Sequence, residues 1–286
     1  MVYAETDKRM TLFERNNFLK SMIILASLAM VLFIIGGYSA YQSIPDVSSQ
    51  AAFRSQGIIQ SYIEDFAEPM AYIPFWTILG AVAYSLISIT LIYFFFEKTQ
   101  SPEIVFFGFF VFSLVFELFR LVIPLKMVFS FPIMYLISAT QVLLFGRYFG
   151  LFSLFATSVY AAGFDVQKQR NIFFILLLSS LGIALSVPVD SLVWDTSLKM
   201  MSGYNFMFSM VELGIMAAAI VTFFISAFTR GSRTYIFIGL GSLMAYAGRN
   251  ILISSDNWIT PVPGLLLLAT GTWLICSRLR KEYLWL

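Results

Sequence analysis

Residues 112–124 read FSLVFELFRLVIP, an apolar stretch that contains two charged residues, Glu117 and Arg120. The run that leads into it, FFGFFVF at 106–112, is equally apolar. About 20 such residues in a helix cross the ~30 Å hydrocarbon core of a bilayer. The stretch therefore predicts a membrane-spanning helix, and the two charges inside it call for a physical explanation.

The rest of the chain repeats this pattern. Hydrophobic residues make up 59% of the sequence and charged residues 12%, against roughly 25% charged residues in a soluble domain. Because backbone groups find no water inside a bilayer, each long apolar segment must be helical. We predict an all-α, polytopic integral membrane bundle of eight transmembrane helices, one anchor plus seven, at about 21–43, 71–96, 104–124, 127–147, 171–192, 205–228, 234–254 and 262–279.

Two segments do not fit a simple span. Residues 151–163, LFSLFATSVYAAG, are too short to cross, so we interpret them as an interfacial helix or an extension of the fourth span. Residues 44–70 predict an outer amphipathic helix, which either lies on the leaflet or covers the bundle as a lid. The predicted organisation is a cytoplasmic N-terminus and first membrane helix (1–43), this loop helix (44–70) and a seven-helix bundle (71–286).

Lysine and arginine are distributed unequally between the two sets of predicted loops. Thirteen, Arg147 among them, fall on one side and three on the other. By the positive-inside rule, the side with more lysine and arginine is cytoplasmic. Both termini are then cytoplasmic, the first helix is expected to be an uncleaved anchor, and we expect a bacterial plasma membrane.

Charged residues inside the spans are costly and often functional. From the predicted span ends, Glu117 and Glu212 lie about 10 Å below the outer surface, Arg249 about 7 Å and Arg120 about 6 Å. Pro188 is expected to kink the fifth span. The predicted ligand-binding residues, which line an outward-facing polar pocket, are Glu117, Arg120, Glu212, Arg249, Asp190, Asn250, Tyr246 and Gln141.

Two other interpretations of these charges stay open. They could form structural ion pairs between helices, such as Glu117 with Arg249 or Glu212 with Arg120, or they could lie in the headgroup region. Gln141 could bond a neighbouring helix.

Several kinds of chemistry are not indicated. The chain contains no histidine and a single cysteine, Cys276, so histidine-based metal sites, histidine general bases and internal disulfides are excluded. No nucleotide-binding glycine motif is present. We predict no enzyme, no cofactor, no metal and no nucleic-acid partner. Attraction to anionic lipid is enough to account for the basic residues of the loops.

The seven spans of residues 70–280, with the turn EKTQSPE at 97–103 and the aromatic run FFGFFVFSLVFELFR at 106–120, resemble the transmembrane module of bacterial seven-helix receptors with diverse intracellular signalling domains. This resemblance implies a receptor-like sensor that binds a small polar ligand and signals through a separate cytoplasmic partner. The chain departs from that family because it shows no large outer domain and no output domain. A small secondary transporter and an accessory subunit of a membrane complex are the alternatives.

Overall fold

The computed structural model describes residues 12–49, 70–99, 101–164 and 169–284. In these residues, eight helices each contain a segment long and apolar enough to cross a membrane. The eight-helix, all-α prediction is therefore confirmed, and the apolar helices indicate a membrane location. They are α1 (Leu12–Ser49), α2 (Ile73–Phe96), α3 (Pro102–Phe129), α4 (Ile133–Ala161), α5 (Gln169–Ser186), α6 (Asn205–Thr229), α7 (Thr234–Ile253) and α8 (Pro261–Leu284).

Proline residues lie at the starts of α3 and α4. Ser101 begins α3 by accepting a hydrogen bond from the Ile104 amide at 3.4 Å, and Pro102 occupies the first turn, where a missing amide hydrogen has no cost. Pro132 directly precedes α4. Of the predicted loop helix at 44–70, residues 44–49 continue α1, and 50–69 lie outside the described residues.

Several predicted boundaries are wrong. The fifth helix ends at Ser186, and its expected last turns form β1 (Val189–Trp194), which pairs antiparallel with β2 (Met200–Ser202). Pro188 therefore follows the helix instead of kinking it, because proline cannot continue the helical hydrogen-bond pattern. We call the end of the bundle that carries these two strands the hairpin end.

The fourth helix is also longer than predicted. It runs without a break through residues 151–161, so this segment is an extension of the fourth span and not a separate interfacial helix. Arg147, which the sequence appeared to place in an inner loop, consequently lies at the middle of α4, 14 residues from its first residue. The helix continues past Arg147 because apolar segments lie on both sides of this residue.

Helix α3 occupies the centre of the bundle. Of its most apolar segment 78% is buried, against 22% for α5 and 17% for α6. Its first half carries Phe106, Phe107 and Phe110, each almost completely buried. Its middle, Leu114–Leu121, is a 3-10 helix, in which side chains three residues apart align. Glu117 and Arg120 are such a pair, so the local winding stacks their charges together.

Helices α7 and α8 are joined along a seam of glycines. A Cβ atom on Gly248 would lie 2.6 Å from the Leu268 amide nitrogen and 2.7 Å from the Gly264 carbonyl oxygen. One on Gly271 would lie 2.7 Å from the Ala245 amide nitrogen. The two backbones thus meet directly, as small residues allow in membrane helices.

We expect Gly248→Ala to lower the free energy of unfolding by about 1–3 kcal/mol, because the new methyl group must push α8 away. Denaturant unfolding of the purified protein in detergent measures this. Gly182→Ala in α5 is the matched control, since its Cβ would meet nothing within 4 Å and alanine favours helix by up to about 1 kcal/mol. Equal losses in both variants would contradict the packing role of the seam.

Candidate functional site

A cavity of about 630 Å³ opens between α4, α6, α7 and the β1–β2 hairpin. Helices α6 and α7 form one wall, α4 faces them, and the hairpin lies across the mouth. Such a volume is typical of small-molecule sites. Its polar lining side chains are Thr140, Arg147, Tyr148, Asp195, Lys199, Ser202, Ser209, Glu212, Arg249, Asn250 and Ser254.

Beside the cavity, Glu117 binds two arginines. Its carboxylate accepts hydrogen bonds from Nε and Nη2 of Arg147 at 3.1 and 3.2 Å, a two-pronged contact between α3 and α4. Arg120 Nη1 lies 3.5 Å from the same carboxylate. Glu117 and Arg120 are almost completely buried, whereas the Arg147 side chain is 18% exposed and reaches the cavity.

Two glycines of α4 make this contact feasible. A Cβ on Gly146 would collide with the Phe116 ring of α3, and one on Gly150 would collide with the Ser113 hydroxyl. The GRYFG stretch at 146–150 therefore allows α4 to lie directly against α3. That close approach sets the Arg147 guanidinium within reach of Glu117.

Arg249 differs from the other buried arginines. It is 4% exposed, its guanidinium lies 6.0 Å from the Phe110 ring centre, and it lines the cavity. Within the described part of the chain it makes no hydrogen bond and no ion pair. A buried charge without a bonded partner is costly, so Arg249 presents an unsatisfied cation to whatever fills the cavity.

Glu212 is the acidic group on the same wall. It is half-buried and accepts a hydrogen bond from the Tyr246 hydroxyl at 3.5 Å. Tyr246 thus supports Glu212 from α7, whereas Asn250, one turn further along α7, lines the cavity directly.

The hairpin contributes an ordered turn to the mouth. Asp195 accepts hydrogen bonds from the Ser197 hydroxyl at 2.8 Å and from the Lys199 amide at 2.9 Å. Arg120 donates to the Ser197 carbonyl oxygen, and Trp194 Nε1 donates to the Val47 carbonyl oxygen at 3.1 Å. These bonds tie the hairpin to α3 and to the end of α1.

Burial of the Asp195 carboxyl would raise its pKa. The Lys199 charge, the two hydrogen bonds and Arg120 outweigh this effect and hold the pKa below its ordinary value. The ionised form is therefore the one that stabilises the hairpin.

The folded-state pKa of Asp195 lies below the unfolded one, so this contribution is present above the ordinary pKa and is lost as the pH falls through the folded value. We expect Asp195→Asn to lower the melting temperature at neutral pH. The difference from the natural chain should shrink as the pH falls below the ordinary aspartate pKa of about 3.9. Melting curves of both proteins across this pH range measure it, and a difference independent of pH would contradict it.

The structure brings three of the predicted residues, Glu212, Arg249 and Asn250, onto the cavity wall. Glu117, Arg120 and Tyr246 lie behind the wall as supports. The predicted pairs Glu117–Arg249 and Glu212–Arg120 are not found among the described residues. Glu117 pairs instead with its α3 neighbour and with α4.

Two predicted residues stand apart. Gln141 of α4 does not line the cavity and makes no hydrogen bond to another described residue. Asp190 belongs to β1, but its side chain lies outside the described part of the structure, so its role stays a prediction.

Three charged lining residues were not predicted: Arg147, Asp195 and Lys199. Arg147 could have been found from the apolar segment that follows it, which marks a continuing helix. Asp195 and Lys199 carry no comparable signal, because a short polar loop gives no sign that it folds back over the bundle.

The depths predicted for the charges also change. Because α3 continues to Phe129, Glu117 lies about 20 Å and Arg120 about 14 Å from its hairpin end. Glu212 remains about 10 Å from the start of α6. The charged groups nevertheless lie close enough to interact, since Arg249 is attracted by both Glu117 and Glu212.

We call the charged side chains that line or adjoin the cavity in the described part of the chain the charged cluster. It contains four cations (Arg120, Arg147, Lys199 and Arg249) and three carboxylates (Glu117, Asp195 and Glu212). The site therefore suits a ligand with a negative group. The chain matches no protein-family model, and a search of curated proteins finds no match.

Proposed function

We propose that this chain is a receptor-like multipass membrane sensor that binds a small polar ligand, carrying a carboxylate or phosphate group, in the cavity at the hairpin end. The observation that supports this most is Arg249, a buried arginine that faces the cavity without a bonded partner. An arginine in a low-dielectric site binds carboxylate and phosphate groups in a two-pronged fashion. Glu212 on the same wall offers an acceptor for a positive group on that ligand.

The excess of basic residues in one set of loops supports an orientation. With Arg147 moved into the membrane, twelve lysines and arginines remain on one side against three on the other. In a bacterial plasma membrane the cavity would then open outwards, with both termini in the cytoplasm. A ligand would arrive from outside, and a separate cytoplasmic partner would carry the signal.

A small secondary transporter is the second candidate. The observation that favours it is the 3-10 segment at the middle of α3, which carries Glu117 and Arg120. Transporters often bind their substrates where a membrane helix is interrupted, and a 3-10 stretch within a helix can mark a hinge. Movement of this segment would change the access to the cavity.

Two measurements on the purified chain separate these functions. Binding is measured first by a thermal-shift screen of small carboxylates and phosphates in detergent. Flux of each compound that binds is then measured in proteoliposomes. Binding without flux supports the sensor, and flux by the chain alone would replace it with the transporter. The absence of binding across both classes would reject both functions and favour an accessory subunit.

A further inference from the structure

A second cavity, of about 550 Å³, runs between α2 and α8 on the outside of the bundle, away from the charged site. One end is closed by Tyr84, whose hydroxyl bonds to Thr272 and donates to the Leu268 carbonyl oxygen at 3.1 Å. The other lining residues lie on α2 and α8 and include the exposed side chains of Ile87, Leu91 and Trp273, so the cavity is an open groove at the surface of the bundle. We call it the α2–α8 groove.

The α2–α8 groove has the shape and character of a site for a hydrocarbon chain. Ile92 and Phe96 form its buried floor, each 1% exposed, whereas Trp273 stands on the rim at 70% exposed. From Tyr84 to Phe96 the groove covers about 18 Å along α2. That length is close to half of a bilayer core of ~30 Å, so the groove runs through about one leaflet.

The open end of the groove is positively charged. Arg280 and Lys281 line it, and the Arg280 guanidinium lies 5.4 Å from the Phe95 ring centre. No aspartate or glutamate is among the lining residues in the described part of the chain, and neither cation forms an ion pair with a described residue. Their charges are therefore available to an anion at the level where lipid headgroups lie.

We propose that the α2–α8 groove binds one anionic phospholipid, with an acyl chain between α2 and α8 and the phosphate group on Arg280 and Lys281. The membrane location of the helices and the combination of an apolar channel with a basic end support this site. The lipid site does not depend on the ligand of the charged cavity. Basic residues close to a membrane surface attract anionic lipid by about fivefold each.

The first test measures lipid selectivity. The full-length chain is placed in nanodiscs that contain equal amounts of phosphatidylglycerol and phosphatidylcholine, and native mass spectrometry measures the lipid that stays bound after extraction. We expect enrichment of phosphatidylglycerol, which falls about fivefold in Arg280→Gln. Arg278→Gln is the matched control. It removes the same charge from the same end of α8, but Arg278 packs on the Phe237 ring of α7 at 4.2 Å and not in the groove.

The second test locates the acyl chain in the unmodified protein. A phosphatidylglycerol with a photoreactive group on its acyl chain is cross-linked, and the modified peptides are identified. Cross-links concentrated on α2 and α8 are expected, at exposed groove residues such as Leu91 and Trp273. Equal retention of both lipids, equal losses in the two arginine variants, or cross-links spread over all helices would overturn the proposal. If Arg280→Gln does not fold, the cross-linking result decides.

Discussion

Glu117→Ala is expected to lower the free energy of unfolding by about 3–5 kcal/mol, the largest loss from any single substitution we consider. Glu117 is the one carboxylate in direct contact with both Arg120 and Arg147 in the described structure. Its removal leaves two guanidinium groups close together with no carboxylate in direct contact, and only the more distant Asp195 and Glu212 remain to offset their charge. Arg120, which is almost fully buried, cannot reach water to compensate. Denaturant unfolding in detergent measures the loss.

Two further variants identify the cause of the stability loss in Glu117→Ala. Glu97→Ala removes an exposed carboxylate at the end of α2 and should change stability by less than about 0.5 kcal/mol. The triple variant Glu117→Leu, Arg120→Leu, Arg147→Met removes all three charges and keeps much of their volume. It should recover most of the lost stability, because a buried ion group contributes little compared with apolar residues that fill the same space. A loss below about 1 kcal/mol in Glu117→Ala would contradict the structural role of the ion group.

Arg249→Ala is expected to abolish most ligand binding while leaving the bundle folded. Removing a buried charge that contacts a bound anion costs about 2 kcal/mol or more, which corresponds to at least a 30-fold rise in Kd. Stability of the empty protein should change little or rise, since the substitution removes a buried charge that has no bonded partner. Isothermal titration with the compound found in the screen measures the affinity.

The controls for Arg249 separate charge from geometry. Arg249→Lys keeps the charge but loses the planar two-pronged contact, so its affinity should lie between those of the natural chain and the alanine variant. Arg233→Ala removes an exposed arginine just before α7 and should leave affinity unchanged. Loss of folding in Arg249→Ala would show a structural role for this residue. Unchanged affinity in a folded variant would show that the ligand does not bind in this cavity.

Contrasting positions show how far the sequence predicts the site. Glu117, Arg120, Glu212 and Arg249 stand out because a charge within an apolar run is rare, and the structure places all four in or beside one charged cluster. Arg147 escapes notice because it lies near an apparent helix end. An ion pair between helices does form, but Glu117 pairs with Arg147 and not with Arg249, because span ends give depth along a helix but not the direction in which a side chain points.

The sequence alone determined the number of helices that are long and apolar enough to span a membrane, since about 20 apolar residues in a row admit only a helix in a bilayer. It also determined that the charges inside these helices need partners. Only the tertiary structure decided which partners they have. The close α3–α4 contact at Gly146 and Gly150 lets Arg147 form its ion pair with Glu117. The hairpin places the Ser197 carbonyl oxygen where Arg120 donates a hydrogen bond to it. Arg249 remains facing the cavity, because pairing depends on distances between helices that no single segment encodes.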